Sequence, residues 1–167
     1  GMLLGLSALP LSAGEPREKT DLWAALRSGE AVALMRHATA PGTGDPVDFS
    51  LGDCATQRNL SADGRDEARR TGDLFRANGI ADAEILSSAW CRCRDTATLL
   101  GLGPVGTLEA LNSFFGTPAE SEARTRAVAA WLLARKSTRP LVLVTHQVNI
   151  TALTGVYPRS GETVVAQ

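Results

Sequence analysis

Two short, unbroken apolar runs stand out along the chain: residues 31–35 (AVALM) and residues 141–144 (LVLV). Runs of this length predict strands buried on both faces. Elsewhere the pattern alternates between helical and short extended segments. Residues 20–27 (TDLWAALR) predict a short helix stopped by Ser28 and Gly29. Ser61 is placed to cap a helix reaching about Asn78 and ending at Gly79. Residues 84–86 predict a short strand, 92–100 a helix ending at Gly101, and 105–108 another short strand. Residues 118–136 carry Ala, Val, Trp and Leu on one face and predict a longer helix. Residues 148–154 look helical, and 162–165 predict a last strand. Strands alternating with helices predict an α/β sandwich around a largely parallel sheet. Such sheets bind ligands at the carboxyl ends of their strands.

Between the first buried strand and the capped helix lie residues 38–57, rich in Gly, Pro, Thr and Asp. They predict a long loop, and long loops inside compact domains are usually functional or disordered. No repeat, low-complexity tract or interdomain linker interrupts the chain. Residues 2–13 (MLLGLSALPLSA) are apolar and end in small residues. They are too short, and too broken by Pro10, to span a bilayer. They resemble the apolar region and cleavage end of a secretory signal, with a cut after Ala13, although the basic start is missing. The alternative is an apolar arm packing on the domain. The predicted organisation is thus a leader or signal-like arm over 1–14 and one domain over 15–167. It implies a periplasmic or secreted protein, with the cytoplasm as the alternative.

The chain has 167 residues, 44% hydrophobic and 21% charged, which is enough for one domain with a real core. Its net charge is −1, and no basic face is evident, which argues against a dedicated nucleic-acid binder. Of its 17 basic residues only Lys19 and Lys136 are lysines. Arginine is the better fork for oxyanions, although such a bias is also common compositional noise.

The three cysteines, Cys54, Cys91 and Cys93, form no metal-binding pattern, since zinc sites need two closely spaced pairs. Cys54 is free to pair with Cys91 or with Cys93 in an oxidising compartment, leaving one thiol. A cysteine phosphatase is excluded. Leu60, Ala97 and Leu99, not arginine, stand six residues after the three cysteines.

The chain's two histidines, His37 and His146, both fall just past the ends of the two most apolar strands. If those strands are parallel neighbours, both imidazoles emerge on one edge of the sheet.

These residues resemble a known family. Leu34-Met35-Arg36-His37 is similar to the R-H-G signature of the histidine phosphatase superfamily, the phosphoglycerate-mutase-like fold. Residues 87–97 (SSAWCRCRDTA) resemble its S-S-P-x-x-R-x-x-[QE]-T-A segment, and Val142-Leu143-Val144-Thr145-His146 its closing strand and histidine. Residues 59–64 (NLSADG) are similar to its L-[ST]-x-x-G helix start. The elements arrive in the family's order over about residues 31–165. The resemblance implies a three-layer α/β sandwich and a histidine-dependent phosphatase, a hydrolase of phosphomonoesters or phosphoramidates, phosphohistidine included. It points to the family's small bacterial branch.

In that reading His37 is the nucleophile and forms a phosphohistidine intermediate. Arg36 and Arg92 bracket the phosphoryl oxygens, where transition-state charge spreads. A protonated His146 adds a further donor. Those cations disfavour protonation of His37. No metal or other cofactor is required, because side chains supply the positive charge. The partner is a phosphorylated small molecule or a phosphoprotein. Arg58 is a candidate substrate contact, with an exposed loop arginine as the alternative, and Thr43 is a candidate hydroxyl donor to the phosphate.

Three positions depart from the family pattern. Ala38 and Gln147 stand where glycine usually follows each histidine. Ser113, in Leu111-Asn112-Ser113, stands where mutase-like members place a glutamate acid. Serine is a poor acid at neutral pH, so Glu109, four residues upstream, is the expected substitute, with Asp48 and Asp53 as other candidates. The departures leave open a second reading, a catalytically weak or inactive phosphate-binding module on the same fold. Phe114 and Phe115 are expected in the core, with a pocket wall as the alternative.

Overall fold

The computed structural model describes residues 9–10 and 16–167. Apart from Leu9–Pro10, the signal-like arm and its expected cut after Ala13 lie outside the described residues. In chain order the elements are β1 (Leu9–Pro10), α1 (Pro16–Ser28), β2 (Val32–Arg36), α2 (Ala62–Ala77) and β3 (Glu84–Ser87). They continue with α3 (Cys91–Leu99), β4 (Val105–Thr107), α4 (Ser121–Ala134), β5 (Leu141–Thr145), α5 (Gln147–Thr154) and β6 (Thr163–Ala166). No described helix is long and apolar enough to cross a membrane.

The sheet runs β1-β6-β2-β5-β3-β4. Strands β2, β5, β3 and β4 are parallel, while β6 joins β2, and β1 joins β6, antiparallel. The two apolar runs are therefore adjacent central strands, with Met35 opposite Val144 and Arg36 opposite Thr145. Strand alternation sorts their side chains into two cores. Ala33, Met35, Val142 and Val144 pack with Trp23, Phe75 and Cys93 under α1, α2 and α3. Val32, Leu34, Leu141 and Leu143 pack with Val128 and Ile150 under α4 and α5. This is the three-layer sandwich.

Local chemistry sets most element ends. The Ser61 hydroxyl accepts from the Gly64 amide at 3.0 Å and caps α2, and Gly79 (φ 84°) ends it. The expected helix over 118–136 is shorter. It begins as a 3₁₀ turn, Pro118–Glu120, and ends at Ala134. There the Arg135 guanidinium turns back to the Glu84 carboxylate (2.8 Å) and the carbonyls of Ser137 and Arg139, holding the chain extended.

Two glycines of α2 allow close packing. A Cβ on Gly72 would lie 2.0 Å from the Leu100 carbonyl oxygen, and one on Gly64 2.1 Å from that of Thr39. Helix α2 is thus pressed onto the end of α3 and onto the backbone just past His37.

Candidate active site

His37 and His146 leave the parallel neighbours β2 and β5 side by side. The His37 amide donates to the Thr145 carbonyl at 3.0 Å, and the ring centroids lie 5.6 Å apart. Both continue the alternation that points Met35 and Val144 toward the α3 layer. They meet Arg92 there, on the first turn of α3. The sequence places two histidines and one arginine of the expected set in one buried cluster, each at most 4% exposed.

The imidazole of His37 has a defined tautomer. Its Nδ1 lies 2.9 Å from the Ala38 carbonyl, which can only accept, so Nδ1 carries the proton. Nε2 then presents a lone pair, and Arg92 Nε donates to it at 3.3 Å. Burial, then the charges of Arg92, Arg36 and Arg58, push its pKa down to about 3, against a backbone hydrogen bond that pulls the other way. His37 is therefore neutral at neutral pH.

In the free protein burial, His37 and the three arginines hold the pKa of His146 well below the ordinary value, which disfavours the imidazolium that the resemblance implies. Its Nε2 lies 2.8 Å from the Ser88 hydroxyl and 3.5 Å from Cys93 Sγ, and its ring packs edge-on against Trp90. Burial raises the Cys93 thiol to about 12, so it stays protonated.

The histidines open into a cleft of about 530 Å³. Arg36, Arg58, Thr43, Ser113 and Gln147 also line it, so most of the expected residues converge there. Burial and mutual repulsion with Arg92 lower the pKa values of Arg36 and Arg58, the mark of crowded cations. Arg36 Nη1 donates to the Pro158 carbonyl at 3.0 Å, while its buried Nε has no partner. Arg58 Nε donates to the Gly44 carbonyl at 2.6 Å, and its Nη1 to that of Ala40, so this arginine also pins the long loop. At Gln147 the amide donates to the Thr151 hydroxyl at 2.7 Å along α5. Phe115 lines the cleft and is exposed, whereas Phe114 is buried away from it.

The expected acid is not there. Glu109 sits on an exposed 3₁₀ turn and lines a separate depression with Ala110, Glu120 and Arg124. The loop after β4 does not bend its side chain inward, because Glu109 opens a turn that buries Leu111 instead. Asp48 is exposed, and Asp53 caps a 3₁₀ turn through the Ala55 amide. Among the described residues the one carboxylate lining the cleft is Asp45, which the sequence does not distinguish from its loop neighbours.

Asp45 forks the guanidinium of Arg92, Oδ1 at 2.7 Å from Nη1 and Oδ2 at 3.2 Å from Nη2. Trp90 Nε1 donates to Oδ2 at 2.9 Å. Burial raises its pKa, but the donors and charge of Arg92, with Trp90, outweigh that and hold it below the ordinary value.

The loop carrying Asp45 is tied to α3. Cys54 pairs with Cys91, the residue beside Arg92, and Cys93 is the free thiol. Gln57 Oε1 accepts from the Cys91 amide at 2.9 Å, while Gln57 Nε2 donates to the Ser50 carbonyl. Ser88, Gln57 and Asp45 thus hold the site without having been singled out in the sequence.

No protein-family model matches the chain, and no curated protein is similar to it in sequence. Solved structures are similar in fold. A functionally characterised open-reading-frame product of Mycobacterium tuberculosis superposes with a TM-score of 0.59 at 18% identity, over 80% of this chain and 89% of that one. A mycobacterial glucosyl-3-phosphoglycerate phosphatase gives 0.55 at 21% identity, over 75% and 77%. A candidate phosphohistidine phosphatase, SixA, of Agrobacterium tumefaciens gives 0.56 at 24% identity, over 74% and 73%. The chain therefore shares the fold of these structures, with the histidines at the exits of its paired central strands lining the cleft.

Proposed function

We propose that the protein is a phosphatase that hydrolyses a phosphomonoester or phosphoramidate, phosphohistidine among them, through a covalent phosphohistidine on His37. The observation that carries this reading is the state of His37: Nδ1 is bound to Ala38, and Nε2 is unprotonated and faces the cleft's arginines. Such a nitrogen is a competent nucleophile. The crowded guanidinium groups of Arg36, Arg58 and Arg92 supply positive charge where a phosphoryl group gains negative charge in the transition state. A bound dianion relieves their mutual repulsion and raises the pKa of His146, which then donates to the same oxygens. Nε2 of His37 attacks phosphorus, the leaving group departs, and water then cleaves the P–N bond to release phosphate.

The substrate is a phosphorylated small molecule or a phosphoprotein. The names of the structural neighbours, phosphatases of glucosyl-3-phosphoglycerate and a candidate one of phosphohistidine, support this class. The Cys54–Cys91 disulfide supports a periplasmic or secreted location, because such bonds persist in oxidising compartments. The test is turnover of 4-nitrophenyl phosphate by wild type and by His37→Ala. Loss of activity in the variant is expected, and undiminished turnover refutes the nucleophile assignment.

A second reading has a specific observation behind it. Ser113, a poor acid, and Gln147, in place of glycine, line the cleft, as they would in a phosphate-binding module without catalysis. Acid-quench trapping separates the two. The phosphatase accumulates labelled phosphohistidine, and the module binds phosphate without it.

A further inference from the structure

We propose that Asp45 is the proton-transfer residue of this site, occupying the phosphate's place on Arg92 in the free protein and serving as general acid once substrate takes that place. The inference rests on the phosphatase reading above and supplies the acid that Glu109 does not.

The geometry carries it. Arg92 presents Nε to His37 Nε2 and, at the other end of the same guanidinium, Nη1 and Nη2 to Asp45. The nucleophilic nitrogen and the carboxylate are thus bridged by one guanidinium, each hydrogen-bonded to it from a different end. An in-line displacement needs the acid on the leaving-group side of the phosphorus, across from the nucleophile. Both groups line one cleft. The Asp45 side chain is 11% exposed, so it is withdrawn from bulk water yet lies on the cleft. Its position is built. Gly44, at φ 69°, turns the chain just before it, and Arg58 holds the Gly44 carbonyl. Trp90 Nε1 fixes Oδ2, and the Cys54–Cys91 bond anchors the loop's far end to α3.

Carboxylate and phosphoryl oxygens compete for the same two donors. When a phosphoryl group takes Nη1 and Nη2, Asp45 loses its cationic partner and gains an anionic neighbour. Both changes favour its protonated form. In the first step the Nε2–P bond forms, the P–O bond to the leaving group breaks, and the Asp45 proton goes to the leaving oxygen. In the second, the Asp45 carboxylate takes a proton from water as the water oxygen bonds phosphorus and the P–N bond breaks. The proton is then back on Asp45, and it is the one taken from solvent as substrate displaced the carboxylate; when phosphate leaves, Asp45 returns it to solvent and its carboxylate goes back to Arg92.

The test compares wild type with Asp45→Asn across phosphate monoesters whose leaving alcohols range from 4-nitrophenol to a simple alkanol. General-acid help is typically worth ~10²–10⁴-fold. The expected result, read in kcat/KM because that ratio reports the first step and not the shared hydrolysis of the phosphoenzyme, is a loss near that size on the alkyl phosphate, a much smaller loss on 4-nitrophenyl phosphate, and a steeper dependence on leaving-group pKa. Asp45→Glu, which keeps the acid, should recover part of the alkyl-phosphate rate. Equal losses of kcat/KM on all substrates overturn the proposal, since a merely structural partner of Arg92 acts on every substrate alike. If Asp45→Asn does not fold, a wild-type rate as steeply dependent on leaving-group pKa as an uncatalysed displacement overturns it, and a shallow dependence supports it. Wild type that turns over no aryl phosphate and traps no phosphohistidine refutes the phosphatase reading itself, and the inference with it.

Discussion

Arg92 Nε donates to His37 Nε2 at 3.3 Å while the other end of the same guanidinium holds Asp45. One side chain therefore organises both the unprotonated nitrogen of His37 and the carboxylate of the cleft. Arg92→Ala is expected to lower kcat/KM for an aryl phosphate by roughly 10²–10³-fold, in the range of other losses of transition-state charge stabilisation. Arg92→Lys should restore little, because a point charge cannot make the fork. Removing Arg92 also strands a partly buried carboxylate, so both variants should unfold at lower urea concentration than wild type. Steady-state kinetics with parallel urea melts check both parts. Near-wild-type kcat/KM in Arg92→Ala would remove the arginine from the mechanism.

The two buried histidines make stability depend on pH. In the unfolded chain an imidazole takes up its proton near the ordinary value of 6.5, whereas folded His37 does so only at about 3. His146 is displaced in the same direction. Between those values the unfolded state binds more protons, so stability falls as pH drops from about 6.5 toward 3. Asp45, also lowered, adds a loss below the ordinary carboxylate range as it protonates. Urea midpoints at pH 7, 5.5 and 4 should decline in order, and His37→Asn should flatten the decline. A wild-type midpoint constant from pH 7 to 4 contradicts the buried neutral imidazoles.

The central strands and their histidines were legible because buried parallel strands leave a plain signal, an unbroken apolar run, and because chemistry follows where such runs end. The register that sets Met35 against Val144 then needed only that the strands be neighbours. The pairing of Cys54 with Cys91 rather than Cys93 was not legible. Both candidates lie on the same first turn of α3, and only the helix's orientation buries Cys93 against His146. Asp45 was hidden for a similar reason. Loop residues 38–57 follow no period, and its carboxylate differs from those of Asp48 and Asp53 only through the three-dimensional path that carries it to Arg92. Glu109 was misplaced because proximity in sequence to Ser113 says nothing about which way a 3₁₀ turn faces.

The Cys54–Cys91 bond closes a separation of 37 residues and ties the Asp45 loop to the start of the Arg92 helix. Chain-entropy arguments assign a crosslink of this span about 3–4 kcal/mol. For a chain of this size that is a fall in Tm on the order of 10 °C on reduction. Thermal melts with and without reductant measure it, and a Cys54→Ser/Cys91→Ser variant should melt near the reduced value with no response to reductant. Activity should fall with reduction below the melting range, since that end of the loop is then held to α3 only through hydrogen bonds, from the Cys91 amide to Gln57 and from Arg92 to the Arg58 carbonyl. Identical melts in both conditions would show that the bond contributes no stability.

Gly64 offers a contest between two effects of known size. Alanine is the better helix former by about 1 kcal/mol, which by itself predicts a more stable α2. A Cβ there, however, meets Thr39 backbone atoms at 2.1, 3.0 and 3.1 Å, and backbone cannot swing aside as a side-chain tip can. Overpacking of this kind costs about 1–3 kcal/mol, so the contact should win and Gly64→Ala should be destabilising. The displaced segment is not neutral for function. Thr39 follows Ala38, whose carbonyl fixes the His37 tautomer and whose amide is held by the Thr96 hydroxyl at 3.0 Å. A shift there loosens the imidazole, so kcat should fall along with the urea midpoint. Gly52→Ala, where a Cβ meets nothing closer than the Ser50 hydroxyl at 3.9 Å, serves as the control and should change stability by no more than about 0.5 kcal/mol. A Gly64→Ala protein as stable and active as wild type would mean that α2 stands farther from the His37 segment than the packing described above.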